Sequence, residues 1–168
     1  MDKNPFDILK MAPKPKIDLG ELRKRYIEIQ RSGHPDLGND PEISEWANQA
    51  YSLLKNDEYR LAEILKFYGT WPPDTKLIGM DFLMEAMEIS EAIGELRNES
   101  DAQKVGIVNT LNQMNNELDV HLEALNAQAE ANTTWFEDPS ILEQISIWYQ
   151  RRRYVTRLEK NLNGEEEL

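Results

Sequence analysis

The sequence predicts an all-α protein built as two helical units joined by a short linker. Apolar residues recur three and four positions apart along almost the whole chain, and long period-two runs are missing. A turn-rich stretch, "TWPPDTKLIG" at 70–79, coincides with a change in charge. Residues 1–70 carry 11 basic and 12 acidic side chains, whereas residues 71–168 carry 8 and 19. A shift of that size marks two functional units. The expected boundaries are therefore 1–70 for the first unit, 71–80 for the linker and 81–168 for the second.

The elements follow in order. Asn4 caps a short opening helix with Pro5 in its first turn, where a missing N–H costs nothing. "APKPK" then interrupts the chain. Asp18 caps a second helix that runs to about Ser32, with Leu19, Leu22, Tyr26 and Ile29 as its apolar stripe. "RSGHPDLGND" at 31–40 is a loop, bracketed by Gly33 and Gly38. Pro41 starts a third helix whose stripe, Ile43, Trp46, Ala50 and Leu53, packs on the second as an antiparallel pair. "DEYRLAEILKFYG" is a fourth helix, with Asp57 as its cap and Gly69 as its stop. Beyond the linker come helices over about 81–97, 101–131 and 139–162, the last opened by Asp138-Pro139. Short connections make these three a bundle, and "NGEEEL" is read as a frayed end.

The totals exclude several function classes. With no cysteine, disulfides, thiolate catalysis and thiolate-bound metals are ruled out. His34 and His121 are the only imidazoles, so no metal site and no cofactor are expected. A net charge of −12 opposes a nucleic-acid partner. No apolar run has the length of a membrane span, and "MDKNPFDILK" resembles neither a signal nor a transit peptide. The expectation is a soluble monomer of the cytoplasm, or of the mitochondrial matrix in a eukaryote.

The loop carries His34, Pro35 and Asp36 in a row. A general base oriented by Asp36 is one reading, but no serine, cysteine or further acid is spaced to complete such a site, so catalysis is not expected. A stiff loop presenting a ring and a carboxylate to another protein is the alternative. The preceding helix favours it: Lys24 and Arg31 lie opposite the apolar stripe, with Arg23 and Arg25 on its flanks, which makes a basic outer face in an acidic protein. Short helix, basic helix, His-Pro-Asp loop and antiparallel third helix together resemble a J domain. The resemblance implies docking on a DnaK/HscA-class chaperone and stimulation of its ATPase, through His34, Pro35, Asp36, Arg23, Lys24, Arg25 and Arg31. J domains usually carry a large residue before the tripeptide and a basic one after it; this chain has Gly33 and Leu37.

In "DFLMEAMEISEAIGELR", Phe82, Ala86, Ile89, Ile93 and Leu96 share a core arc, while Leu83, Met84 and Met87 fall outside it beside Glu88 and Glu91. Leu83 fits core and partner surface equally; Met84 fits a partner surface, where a flexible thioether adapts to shape. "FLMEAMEISEAI", after a J-type unit and inside a three-helix bundle, is similar to the HscB family of iron-sulfur cluster assembly J proteins. That resemblance implies an iron-sulfur scaffold partner (IscU-like) bound by Leu83, Met84, Met87, Glu88, Glu91 and, from "RRYVTRL", Tyr154. Core packing is the competing reading for Tyr154, although it lies off the Ile141, Ile145, Trp148 and Val155 stripe. A J protein of another pathway, whose bundle binds other clients or self-associates, is the rival assignment.

Overall fold

The computed structural model describes residues 4–32, 41–96 and 101–165. Among the described residues the helices are α1 (Pro5–Ile8), α2 (Leu19–Ser32), α3 (Pro41–Leu54), α4 (Asp57–Phe67), α5 (Met80–Glu95), α6 (Asp101–Ala131) and α7 (Pro139–Asn163), with 3-10 turns at Thr75–Ile78 and Trp135–Glu137. They divide into two compact units, Met1–Pro72 with Asn126–Asp138, and Pro73–Leu125 with Pro139–Leu168.

In the first unit the caps arise from local chemistry. The Asn4 side chain accepts from the Phe6 N–H, and Asp18 Oδ1 accepts from Gly20 and Glu21 at 2.7 and 3.0 Å, satisfying donors that a helix leaves orphaned. α2 and α3 run antiparallel, because contacts that ascend one helix descend the other. The Tyr26 hydroxyl donates to Asn48, Gln30 donates to Asn48 and to the Ser44 carbonyl, and Tyr26 stacks on Tyr51. Leu22 is fully buried, but Leu19, expected in the same stripe, is exposed. It stands directly after the cap, at the very start of the helix. On α3 Ala50 is buried as expected, but the rest of the stripe is rotated: Ala47 and Leu54 are buried while Ile43 is exposed and Trp46 and Leu53 are only partly covered. Alanines let helix backbones approach closely, and Ala47 joins Ala50 on the buried line in place of the larger Ile43 and Trp46.

Asn56 caps α4, accepting from Tyr59 N, so Asp57 is the first helical residue and not the cap. Gly69 does stop the helix, at φ +72°. Arg60 is buried and forks between the Pro15 carbonyl, at 3.0 and 2.8 Å, and the Leu54 carbonyl at 2.9 Å, with Asp57 also touching it. One guanidinium thus ties the "APKPK" crossing to the last residue of α3. Residues 126–138 join this unit through Asn126, which accepts from Lys16 N, and through Trp135 and Phe136, which pack on Tyr68. Sequence continuity had grouped them with 81–168.

In the second unit α5 and α7 run parallel, as the pairs Ile78 with Arg151 and Phe82 with Tyr154 show. α6 is antiparallel to α7: Asn115 reaches Glu159, and the buried Trp148 indole donates to the Leu118 carbonyl at 2.7 Å. Ile107, Leu111, Met114, Leu118, Leu122 and Leu125 bury one seam of α6, and Ile141, Ile145, Trp148 and Val155 are buried on α7 as their spacing predicts. The 3-10 turn Thr75–Ile78 lies against α7, where Gln150 donates to the Asp74 carbonyl. No helix is long and apolar enough to cross a membrane among the described residues.

Candidate functional site

Where α5 begins is fixed from α7. Arg151 donates through Nε and Nη2 to the Ile78 carbonyl at 3.1 and 3.0 Å, and its guanidinium lies 5.1 Å from the Phe82 ring centroid. Gly79, the residue between, has φ +91°, and a Cβ there would meet Arg151 Nη2 at 3.2 Å. Both constraints favour glycine. This clamp sets the phase of the helix and therefore which side chains it turns outward.

Ala86 and Ile89 face inward and are buried, with Phe82, Ile93 and Leu96 half-buried beside them. On the opposite side Met84 is 56% exposed, Met87 63% and Met80 70%. Met80, Met84 and Met87 stand at i, i+4 and i+7, one above the other, so they form a ridge. Glu88 is exposed beside it, Glu91 is exposed in line with it one turn beyond Met87, and Leu83 is half-buried on its flank. Methionines left out of a packed bundle in such a row need a reason, because contiguous apolar surface is normally kept small outside interfaces.

Of the residues picked out from sequence, Met84, Met87, Glu88 and Glu91 therefore share one exposed face, and Leu83 borders it. Tyr154 is half-buried, meeting Phe82 edge to face at 6.1 Å and carrying Arg157 over its ring at 5.3 Å. Met80 was missed because the helix was expected to start at residue 81; the three-four spacing continued back by one turn would have found it. Glu85, Glu88 and Glu95 rim a groove of about 420 Å³ between α5 and α6, floored by Ile89, Leu96 and Ile107.

On the first unit, Arg23, Lys24 and Arg31 are exposed on α2, while Arg25 is partly covered and paired with Glu21 at 2.7 Å. The basic face thus keeps three of its four expected cations clear of that pair. His34, Pro35 and Asp36 lie outside the described residues.

The helix that bears the ridge falls inside a match to a known family. The family model described as the HSCB C-terminal oligomerisation domain fits residues 79–163, half of the chain. The chain belongs to the HscB family. A co-chaperone protein HscB homolog of Shewanella frigidimarina is 34% identical over 111 residues, covering 60% of this chain and 64% of that protein. One from Shewanella loihica is 26% identical over 175 residues, covering 98% of each. Among solved structures, human co-chaperone protein HscB superposes with a TM-score of 0.73 at 23% identity, covering 98% of this chain and 82% of that one. The HscB chaperone of Vibrio cholerae gives 0.58 at 21% identity, with 95% and 99% covered. The all-α organisation expected from the sequence, with an N-terminal J-type hairpin unit and a C-terminal bundle, is the HscB fold.

Proposed function

We propose that this chain is a non-enzymatic co-chaperone of iron-sulfur cluster assembly that brings a cluster scaffold protein to a DnaK/HscA-class chaperone and stimulates that chaperone's ATPase. The observation that carries the reading is the ridge of Met80, Met84 and Met87, turned to solvent on the helix that lies inside the family match. In this reading Leu83, Met84, Met87, Glu88, Glu91 and Tyr154 bind the IscU-like scaffold, with Met80 extending the contact by one turn. The basic face of α2, Arg23, Lys24, Arg25 and Arg31, approaches the chaperone together with His34, Pro35 and Asp36.

The division of labour has a physical basis. A ridge of flexible thioethers supplies dispersion and apolar burial, and the neighbouring carboxylates restrict which partners fit. The α2 face supplies attraction for an acidic surface, which chiefly speeds encounter. Carrying both on one chain makes the second docking event intramolecular, at an effective concentration in the millimolar range for short linkers. Scaffold delivery and ATP turnover are then coupled without any chemistry performed by this protein.

The test is the steady-state ATPase of the cognate chaperone. Wild-type protein should stimulate it and His34→Gln should not, with both folded equally by circular dichroism. Equal stimulation by His34→Gln would remove the loop from the account. Stimulation by the wild type without any binding of the scaffold would instead favour a J protein serving another pathway.

A further inference from the structure

We propose that Arg157 receives a carboxylate of the scaffold, so that the docking face reads its partner as an acidic group, an apolar patch and a basic group in that order from α7 to α6. The identity of the partner rests on the function proposed above; the charge order rests on geometry alone.

On a wheel starting at Met80, Leu83 lies at about 300°, Met87 at about 340°, Met84 at about 40° and Glu88 at about 80°. The flank beyond Leu83 belongs to α7, since Ser90 and Ile93, at about 280° and 220°, line a groove with Asn161 and Asn163. The flank beyond Glu88 belongs to α6, because Glu88 and Ala92 line a groove with Ile107 and Thr110. Glu88 therefore gives the ridge an acidic edge towards α6, while Glu91, at about 20°, stands in line with the methionines one turn beyond Met87; the other edge is whatever α7 presents.

α7 presents Arg157. Ile78 meets Arg151 across an offset of 73 residues and Phe82 meets Tyr154 across 72, which sets Arg157 level with the second turn of α5. Its guanidinium is exposed and rests 5.3 Å from the Tyr154 ring centroid. Among the described residues it has no carboxylate within ion-pair distance, although residues 71–168 hold 19 acids against 8 bases. By contrast Arg152 is engaged by Glu159 and Asn115, and Arg151 by a backbone carbonyl. An arginine kept clear of so many acids and set over an aromatic ring is pre-ordered for an external carboxylate. Nucleic-acid phosphates are poor candidates for an acidic unit, and two copies of a chain of charge −12 repel at long range.

The experiment is titration calorimetry of the cognate apo scaffold against wild type, Arg157→Glu, Arg157→Lys and Met84→Asp, with sedimentation of each variant alone. Arg157→Glu should weaken binding about tenfold or more and lose its difference from wild type at high salt, while Arg157→Lys stays near wild type. Unchanged affinity for Arg157→Glu, with binding abolished by Met84→Asp, would overturn the charge order and leave the scaffold reading standing. No binding by the wild type would overturn both. A change in self-association for Arg157→Glu, with scaffold affinity intact, would make the carboxylate that of a second copy and would likewise overturn the proposal.

Discussion

Replacing Arg60 by methionine should destabilise the first unit by about 3 kcal/mol, and the magnitude follows from what the guanidinium satisfies. The side chain is 1% exposed. It gives two hydrogen bonds to Pro15 O and one to Leu54 O. Leu54 is the last residue of α3, so its carbonyl has no partner within the helix. Methionine keeps the stem volume but leaves both carbonyls unserved, at about 1 to 3 kcal/mol each. Removing the cation also removes its desolvation cost, which lowers the sum towards the bottom of the range of about 3 to 5 kcal/mol seen when buried ionic groups lose a partner. Asp57 matters less, because it is half-exposed and water replaces its partner; Asp57→Asn should cost under about 1 kcal/mol. Urea unfolding followed by circular dichroism, with the slope checked for constancy, reads both values. A loss under about 1 kcal/mol for Arg60→Met, or equal losses for the two variants, would refute the role assigned to the backbone carbonyls.

Other consequences follow from the same geometry. Leu22→Ala should cost about 2 to 5 kcal/mol and Leu19→Ala under about 0.5, since the first is fully buried and the second 55% exposed; comparable losses in urea would contradict the described helix face. His121 is held below its ordinary value by burial, aided by the charge of Arg151 and opposed by a hydrogen bond with Gln144. Its neutral form is therefore favoured by folding, so its contribution is complete above pH 6.5 and is lost as pH falls through the depressed folded value. His121→Gln should flatten the decline of melting temperature between about pH 7.5 and 5; an unchanged profile would show that the imidazole is not linked to folding. Ser substitutions at Met84 and Met87 should leave the melting temperature within about 2 °C of wild type, because neither side chain supports the core.

How far this structure was legible in the sequence depends on the range of the forces involved. Caps are local chemistry, and Asn4, Asp18 and Gly69 act as their residue types dictate. So are the stripes of α5 and α7, where large apolar residues repeat with the helical period and meet a broad partner surface. On α3 Ala50 was placed correctly but Ala47 was not; small side chains score weakly in any hydrophobicity count, yet they allow close approach. Asn56 and Asp57 are both competent caps, and only the backbone distinguishes them. Arg60 was unreadable, since an arginine in an amphipathic helix looks solvent-facing and its acceptor at Pro15 lies 45 residues away. The same applies to residues 126–138, which join the first unit through aromatic contacts between segments far apart in sequence. The ridge was visible at Met84 and Met87 because an apolar residue off the core arc is conspicuous in a single helix. Arg157 was not, because its place in the face depends on the register between α5 and α7.

The most direct measurement of the account is the chaperone's ATPase rate with this protein and the scaffold, separately and together, for wild type and Met84→Asp. Wild-type protein and scaffold should stimulate more in combination than the sum of their separate effects. Met84→Asp should keep the stimulation seen without scaffold and lose only that excess. An undiminished excess with Met84→Asp would contradict the claim that the outward methionines of α5 are where the scaffold is held.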